Sequence, residues 1–272
     1  NSAPDAVTDT AYTAVNKTLS VFVADSPNEL TMNDTDADGS QADLEVTGIS
    51  DGVNGTANPV ITNNNVLFTP TTNYVGSEAS FDYAISDGKG GTDTGTVNVT
   101  VLPVTHPGTA GNDTLTGTAG IDVLFGGAGN DTLNGAGGDI NLLYGGAGDD
   151  IFIFNAPPSI DKIFGGEGTD TMQVGGAGND LSLTTLNDNL YYNYLNDLEQ
   201  INITGSGNNS LTLDEIDVFL MTDADNELYI IGDTGDSLTA TGTWTQAVGG
   251  SDLVYGDYNS YTKLVLGEFE VT

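Results

Sequence analysis

Six stretches of the chain set a large apolar residue behind a glycine-rich turn, five of them with an aspartate at one fixed phase, a combination suited to holding a hard cation. Gly108-Thr109-Ala110-Gly111-Asn112-Asp113-Thr114-Leu115-Thr116 is followed directly by Gly117-Thr118-Ala119-Gly120-Ile121-Asp122-Val123-Leu124-Phe125 and by Gly126-Gly127-Ala128-Gly129-Asn130-Asp131-Thr132-Leu133-Asn134. A loosened ten-residue version runs from Gly135 to Tyr144, with its aspartate, Asp139, off phase. Clean copies return at Gly145-Gly146-Ala147-Gly148-Asp149-Asp150-Ile151-Phe152-Ile153 and at Gly165-Gly166-Glu167-Gly168-Thr169-Asp170-Thr171-Met172-Gln173. Calcium takes six to eight oxygen ligands, and stacked turns can offer backbone carbonyls together with carboxylates. The candidate side-chain ligands are Asp113, Asp122, Asp131, Asp139, Asp149, Asp150 and Asp170; the candidate carbonyl donors are Gly108, Ala110, Gly117, Gly126, Ala128, Gly145 and Ala147.

The elements that must position these groups follow from the period. Six residues make a tight turn, where glycine supplies positive φ, and three make a short strand with its middle residue facing inward. That inward series is Leu115, Leu124, Leu133, Leu143, Phe152 and Met172. Two nonapeptides complete one coil, so the turns starting at Gly108, Gly126, Gly145 and Gly165 share one side, and those starting at Gly117 and Gly135 share the other. Bringing the carboxylates together without a cation would be repulsive, so several calcium ions are expected to stabilise the fold by binding only its folded form. Gly175-Gly176-Ala177-Gly178-Asn179-Asp180 reads either as a seventh turn or as the entry to a following domain.

Composition agrees with this chemistry. The chain carries 39 acidic residues against 4 lysines and no arginine, a formal net charge of −35 over 272 residues. Such a charge repels nucleic acid and anionic membranes. Cysteine is absent, which excludes disulfides and thiolate metal sites. No run approaches the length of a membrane-spanning helix. The first residues, Asn1-Ser2-Ala3-Pro4-Asp5, lack the basic and apolar regions of a secretory signal peptide. Neither H-E-x-x-H nor G-x-S-x-G occurs, and the lone His106 reads as a solvated side chain in a linker, so an enzyme is not expected.

The repeats resemble the RTX, or hemolysin-type calcium-binding, family. That resemblance implies a parallel β-roll and export by type I secretion. Residues 1–103 alternate polar and apolar residues in about seven short segments, which predicts a β-sandwich. Asn33-Asp34-Thr35-Asp36-Ala37-Asp38-Gly39, Phe68-Thr69-Pro70, Phe81-x-Tyr83 and Ser86-Asp87-Gly88-Lys89-Gly90-Gly91-Thr92-Asp93 resemble the cadherin-like, Ig-like tandem domains of large bacterial surface adhesins. Asp34, Asp36 and Asp38, with Glu45, match an EF-hand loop pattern. Flanks that read as strands exclude the EF-hand helix pair, leaving either a calcium loop or a solvated Asx-rich turn.

Residues 104–107 read as a linker, 108–175 as the roll, and 176–272 as a mostly β capping domain. The last resembles the target domain that follows RTX repeats, through Leu198-Glu199-x-Ile201-x-Ile203-Thr204-Gly205, Gly232-Asp233-x-Gly235-Asp236 and Gly242-x-Trp244. A capping box at Thr212 and Glu215 predicts one short helix near 213–222. The expected whole is an all-β monomer secreted to a bacterial cell surface. Its expected role is the calcium-dependent folding and secretion module of an adhesin, with the type I secretion machinery and upstream repeats of the parent protein as partners. An alternative is a ligand-binding module recognising sugar, peptide or ice, although Thr109 and Thr118 alone make no extended flat array.

Overall fold

A computed structural model describes residues 1–23, 30–50, 52–58, 65–137, 140–155, 161–175, 178–183, 195–205, 207–214, 221–222, 227–241, 245–246, 253–257 and 260–266. The chain divides into two compact units, one built from residues 1–103 and one that begins at Val104. Among the described residues no helix is long and apolar enough to cross a membrane.

Alternation of apolar and polar residues makes the first unit an Ig-like sandwich. Asp9–Ala14, Thr92–Leu102, Gly76–Ser86 and Glu45–Ile49 form one sheet in that order; Leu19–Phe22, Asn65–Pro70 and Gly55–Asn58 form the other. Pairing is antiparallel except between Asp9–Ala14 and Thr92–Leu102, which run parallel. The inward residues, among them Phe68, Phe81, Tyr83, Ile85 and Val99, form a continuous buried core. Phe68 and Phe81 stack at 5.7 Å between centroids. The described flank before Asp34 is a turn at Leu30–Asn33 rather than a strand, because Gln41 Nε2 reaches back to the carbonyls of Thr31, Met32 and Asp34.

The second unit is a parallel β-roll. His106–Pro107, Val123–Ala128, Leu142–Ala147, Lys162–Glu167 and Leu195–Asn196 stack in register as one sheet. Thr114–Thr116, Thr132–Asn134, Ile151–Asn155, Thr171–Gly175, Gln200–Asn202, Glu227–Ile231 and Ser260–Leu266 stack as a second. Leu124, Leu143 and Ile163 align on the first; Leu115, Leu133, Phe152 and Met172 align on the second. All but Leu115, on the first rung, are fully buried. Phe125, Tyr144 and Phe164 occupy neighbouring rungs with rings stacked 4.8 and 4.6 Å apart. His106–Pro107, expected in a linker, is instead the first rung, paired with Leu124 and Phe125.

The stack does not stop at residue 175. Within the segment 176–272, expected to cap the roll, Leu195–Asn196 adds a rung to the first sheet, and Gln200–Asn202, Glu227–Ile231 and Ser260–Leu266 add rungs to the second. From Asp180 onward a third parallel sheet, Asp180–Ser182, Ser210–Asp214 and Ser237–Thr241, joins the coil. The aligned residues on the second sheet, Met172, Ile201 and Ile230, are then 29 apart, where Leu115 and Leu133 were 18 apart. Gly178-Asn179-Asp180 opens the first strand of that third sheet. At the far edge of the second sheet the pairing turns antiparallel, through Leu253–Asp257 and Thr245–Gln246. The helix expected near 213–222 falls mostly on residues 215–220, outside the described residues; Leu213 and Asp214 belong to a strand.

Candidate metal centre

Stacking the glycine turns brings their aspartates into a row. Gly127, Gly146 and Gly166 take φ values of 113°, 118° and 116°, and Gly129, Gly148 and Gly168 take 103°, 120° and 136°. L-residues rarely adopt these angles, which is why three of the repeats need both glycines. Each position-six aspartate then lies one rung from the next. The Asp113 N–H donates to Asp131 Oδ1, the Asp131 N–H to Asp150 Oδ1 and the Asp150 N–H to Asp170 Oδ1, each at 2.8 Å. The Asp170 N–H donates to Glu199 Oε2 at 2.7 Å. One carboxylate oxygen each of Asp131, Asp150, Asp170 and Glu199 is thereby spent on the ladder.

The other oxygen decides the chemistry. Asp131, Asp150 and Asp170 are at most 1% exposed, and the Oδ2 atom of each is buried with no hydrogen-bond donor. Buried anionic oxygens without donors cost several kcal/mol unless a proton or a cation meets them. Each faces the first glycine of its own turn and a carbonyl of the next. A Cβ on Gly126 would collide with Asp131 Oδ2 and lie 2.6 Å from Gly145 O; one on Gly145 would collide with Asp150 Oδ2 and lie 2.6 Å from Gly165 O. Burial pushes the Asp150 carboxyl up to about 6, and the charges of Asp131 and Asp149 add to the shift. Burial pushes Asp170 up to about 7, with Asp150, Glu199 and Asp149 adding. Among the described residues no three acidic, histidine or cysteine side chains converge on one point, so backbone carbonyls must supply the rest of any ligand shell.

These residues fit calcium. Asp131, Asp150 and Asp170 would supply carboxylate oxygens and Gly145, Gly165 and Asp197 the carbonyls that face them, and the ion would supply the positive charge this row lacks.

Other expected ligands are placed differently. Asp113 Oδ2 accepts from the Thr109 N–H and hydroxyl at 2.7 and 2.8 Å. Asp122 Oδ2 accepts from the Thr118 N–H and hydroxyl at 2.6 and 2.9 Å. Burial works against the charged form of Asp122, yet the Thr118 and Thr105 bonds and His106 outweigh it and hold the carboxyl below its usual range. His106 Nδ1 lies 3.6 Å from Asp122 Oδ1 and 2.9 Å from the Thr105 hydroxyl, so its imidazole is not simply solvated. Asp149 stands in an outer ladder, accepting from the Thr169 N–H at 2.9 Å and donating its own N–H to Asn130 Oδ1 at 3.1 Å. Gly108 and Gly117 donate their N–H groups to Phe125 O and Asn134 O. Ala128 and Ala147 are paired rungs, and Ala110 is exposed. Asp139 lies outside the described residues.

The position that Asp139 was expected to serve is held by Asn141. Its Oδ1 accepts the Asp122 N–H at 2.8 Å, and its Nδ2 donates to Asp161 Oδ1 at 2.8 Å. Asn141, Asp161 and Glu199 were not expected to belong to the two rows. They share a signal: each stands two residues before an inward apolar residue, Leu143, Ile163 and Ile201.

In the first unit, Asp34, Asp36 and Asp38 turn to separate partners. Asp34 is fully buried and accepts from the Val7 N–H at 2.7 Å and the Tyr83 hydroxyl at 3.2 Å. Asp38 accepts from the Ser2 N–H at 2.9 Å, and Asp36 Oδ1 from the Asp38 N–H at 3.3 Å.

Comparison with known families agrees with this geometry. Residues 107–139, 136–156 and 159–181 match the RTX calcium-binding nonapeptide repeat, and residues 1–100 match a bacterial Ig domain. The chain carries calcium-binding RTX repeats behind a bacterial Ig domain. The two families are typically structural or adhesion modules, and they point to an extracellular or secreted protein. No curated protein and no solved structure matches the chain significantly.

Proposed function

We propose that this RTX chain is the calcium-dependent folding and secretion module of a large extracellular bacterial adhesin. The observation that carries the reading is the row of three buried Oδ2 atoms without donors on Asp131, Asp150 and Asp170. In a cytosol poor in calcium these carboxylates repel one another and oppose the stacking of their turns. The roll then stays open and threadable through an export channel. Extracellular calcium modules bind at about 10⁻⁴ to 10⁻³ M, so the ion closes the stack only outside. The Ig domain serves as one extender of the parent adhesin, upstream repeats continue it, and the chain is presented at the cell surface as a monomer.

The test is export. Produced in a bacterium equipped with a type I secretion apparatus, the chain should reach the medium and become protease-resistant there only when the medium contains millimolar calcium. Retention in the cell despite a functioning apparatus would overturn the secretion role. Resistance in a calcium-free medium would overturn the calcium trigger.

A further inference from the structure

The two edges of the roll treat their aspartates differently, and the difference follows the second residue of each turn. Where that residue is glycine in the left-handed region, as at Gly127, Gly146 and Gly166, the carboxylate of the same turn keeps a buried oxygen without a donor. Where it is threonine, as at Thr109 and Thr118, the N–H and hydroxyl of the same residue both donate to that oxygen. Three of the four turns on the first edge are of the glycine kind. On the opposite edge the turn starting at Gly117 is of the threonine kind.

The next rung of that opposite edge carries a second substitute. The amide of Asn141 is buried and aimed at oxygens: Nδ2 lies 3.3 Å from Gly135 O, 3.3 Å from Gly137 O and 2.8 Å from Asp161 Oδ1. Two backbone carbonyls and a carboxylate around one point are the kind of oxygen set that attracts a cation. Here an NH₂ group with two donor hydrogens stands in their midst. The third sheet repeats the device: buried Asn209 donates Nδ2 to Ile203 O at 2.8 Å and accepts the Asn179 N–H at 3.0 Å.

We propose that calcium loads the Asp131, Asp150 and Asp170 edge of the roll, whereas the Asp122–Asn141 edge is metal-free, closed by the Thr118 donors and the Asn141 amide in place of the ion. The inference rests on the repeats binding calcium but not on the secretion role. One edge is therefore a switch, and the other is a permanent seam that holds its rungs without metal.

Counting ions tests this. Calcium bound per chain at saturation would be measured by elemental analysis after gel filtration, with circular dichroism confirming that each variant is folded. Asp122→Asn should bind as many ions as the unchanged protein, and Asp150→Asn at least one fewer. Asn141→Asp removes the amide and adds a carboxylate, and should bind one ion more. Loss of an ion in folded Asp122→Asn would overturn the proposal. So would an unchanged count in Asn141→Asp, which keeps the test decisive if Asp122→Asn fails to fold. Absence of calcium from the unchanged protein would instead remove the calcium reading itself.

Discussion

The Ig-like sandwich and the roll both bury aspartate, but they neutralise it by different means. In the sandwich, fully buried Asp34 accepts from the Val7 N–H and the Tyr83 hydroxyl, above a core that includes Phe68, Phe81 and Ile85. In the roll, stacked strands align inward apolar residues, and among the described residues the buried Oδ2 atoms of Asp131, Asp150 and Asp170 are left without donors. A sandwich with internal donors can close by itself. A roll built from GG turns closes when something positive arrives. The distinction is not absolute, because Asp9 Oδ2 and Asp36 Oδ2 in the sandwich also lack donors. Burial pushes Asp9 up to about 7, with nearby Asp34 adding to the shift, so a proton can do there what calcium does in the roll.

The largest expected effects come from the cores. Phe81→Ala should cost about 3–5 kcal/mol of sandwich stability, measured by thermal unfolding, and the loss should be the same with and without calcium. Phe152→Ala should cost a similar amount, but visibly only in calcium, as a raised calcium midpoint for folding. A calcium-dependent loss in the first variant would break the comparison.

Next in size is the difference between Asp131 and Asp113. One occupied site contributes about 2.7 kcal/mol at a hundredfold excess over its dissociation constant. Asp131→Ala removes an oxygen with no other donor, whereas Asp113→Ala removes one already met by Thr109. In a calcium titration followed by circular dichroism, the midpoint should rise more for Asp131→Ala. Equal midpoints would mean that the GG turns are not the ion's seat.

The smallest expected effect is on pH, in chelator. Asp150 and Asp170 are raised in the fold to about 6 and about 7, so folding the metal-free roll takes up protons. The stability this linkage gives is present in acid and is lost as pH rises through 6 to 7. Lowering the pH from about 7.5 to about 5 should therefore restore part of the roll's circular dichroism without calcium. In calcium the same change should weaken the roll, because protons compete with the ion.

Much of this architecture could be read from the chain before any coordinates. The inward apolar series and the sharing of sides by turns 18 to 20 residues apart both stand in the structure. What escaped was set by register rather than by spacing from glycine. The fourth repeat is one residue longer, so the sixth residue counted from Gly135 is Ile140, and the nearest aspartate, Asp139, is off phase. Counting back two residues from Leu143, which aligns with Leu124, finds Asn141 opposite Asp122. The same count finds Asp161 before Ile163, Glu199 before Ile201, Asn209 before Leu211 and Asp236 before Leu238. The rungs beyond residue 175 were hidden because a third strand stretches the coil and dilutes the glycine period. Whether a carboxylate is capped or left without donors turns on threonine against glycine at one turn position, a difference whose meaning depends on where one N–H points.

Limited proteolysis with mass mapping of the fragments, in millimolar calcium and in excess chelator, shows directly whether calcium closes the roll and leaves the sandwich unaffected. Residues 108–175 should resist cleavage in calcium and be cut within their turns in chelator, while residues 1–100 should resist in both. Equal protection of residues 108–175 with and without calcium would contradict closure by calcium.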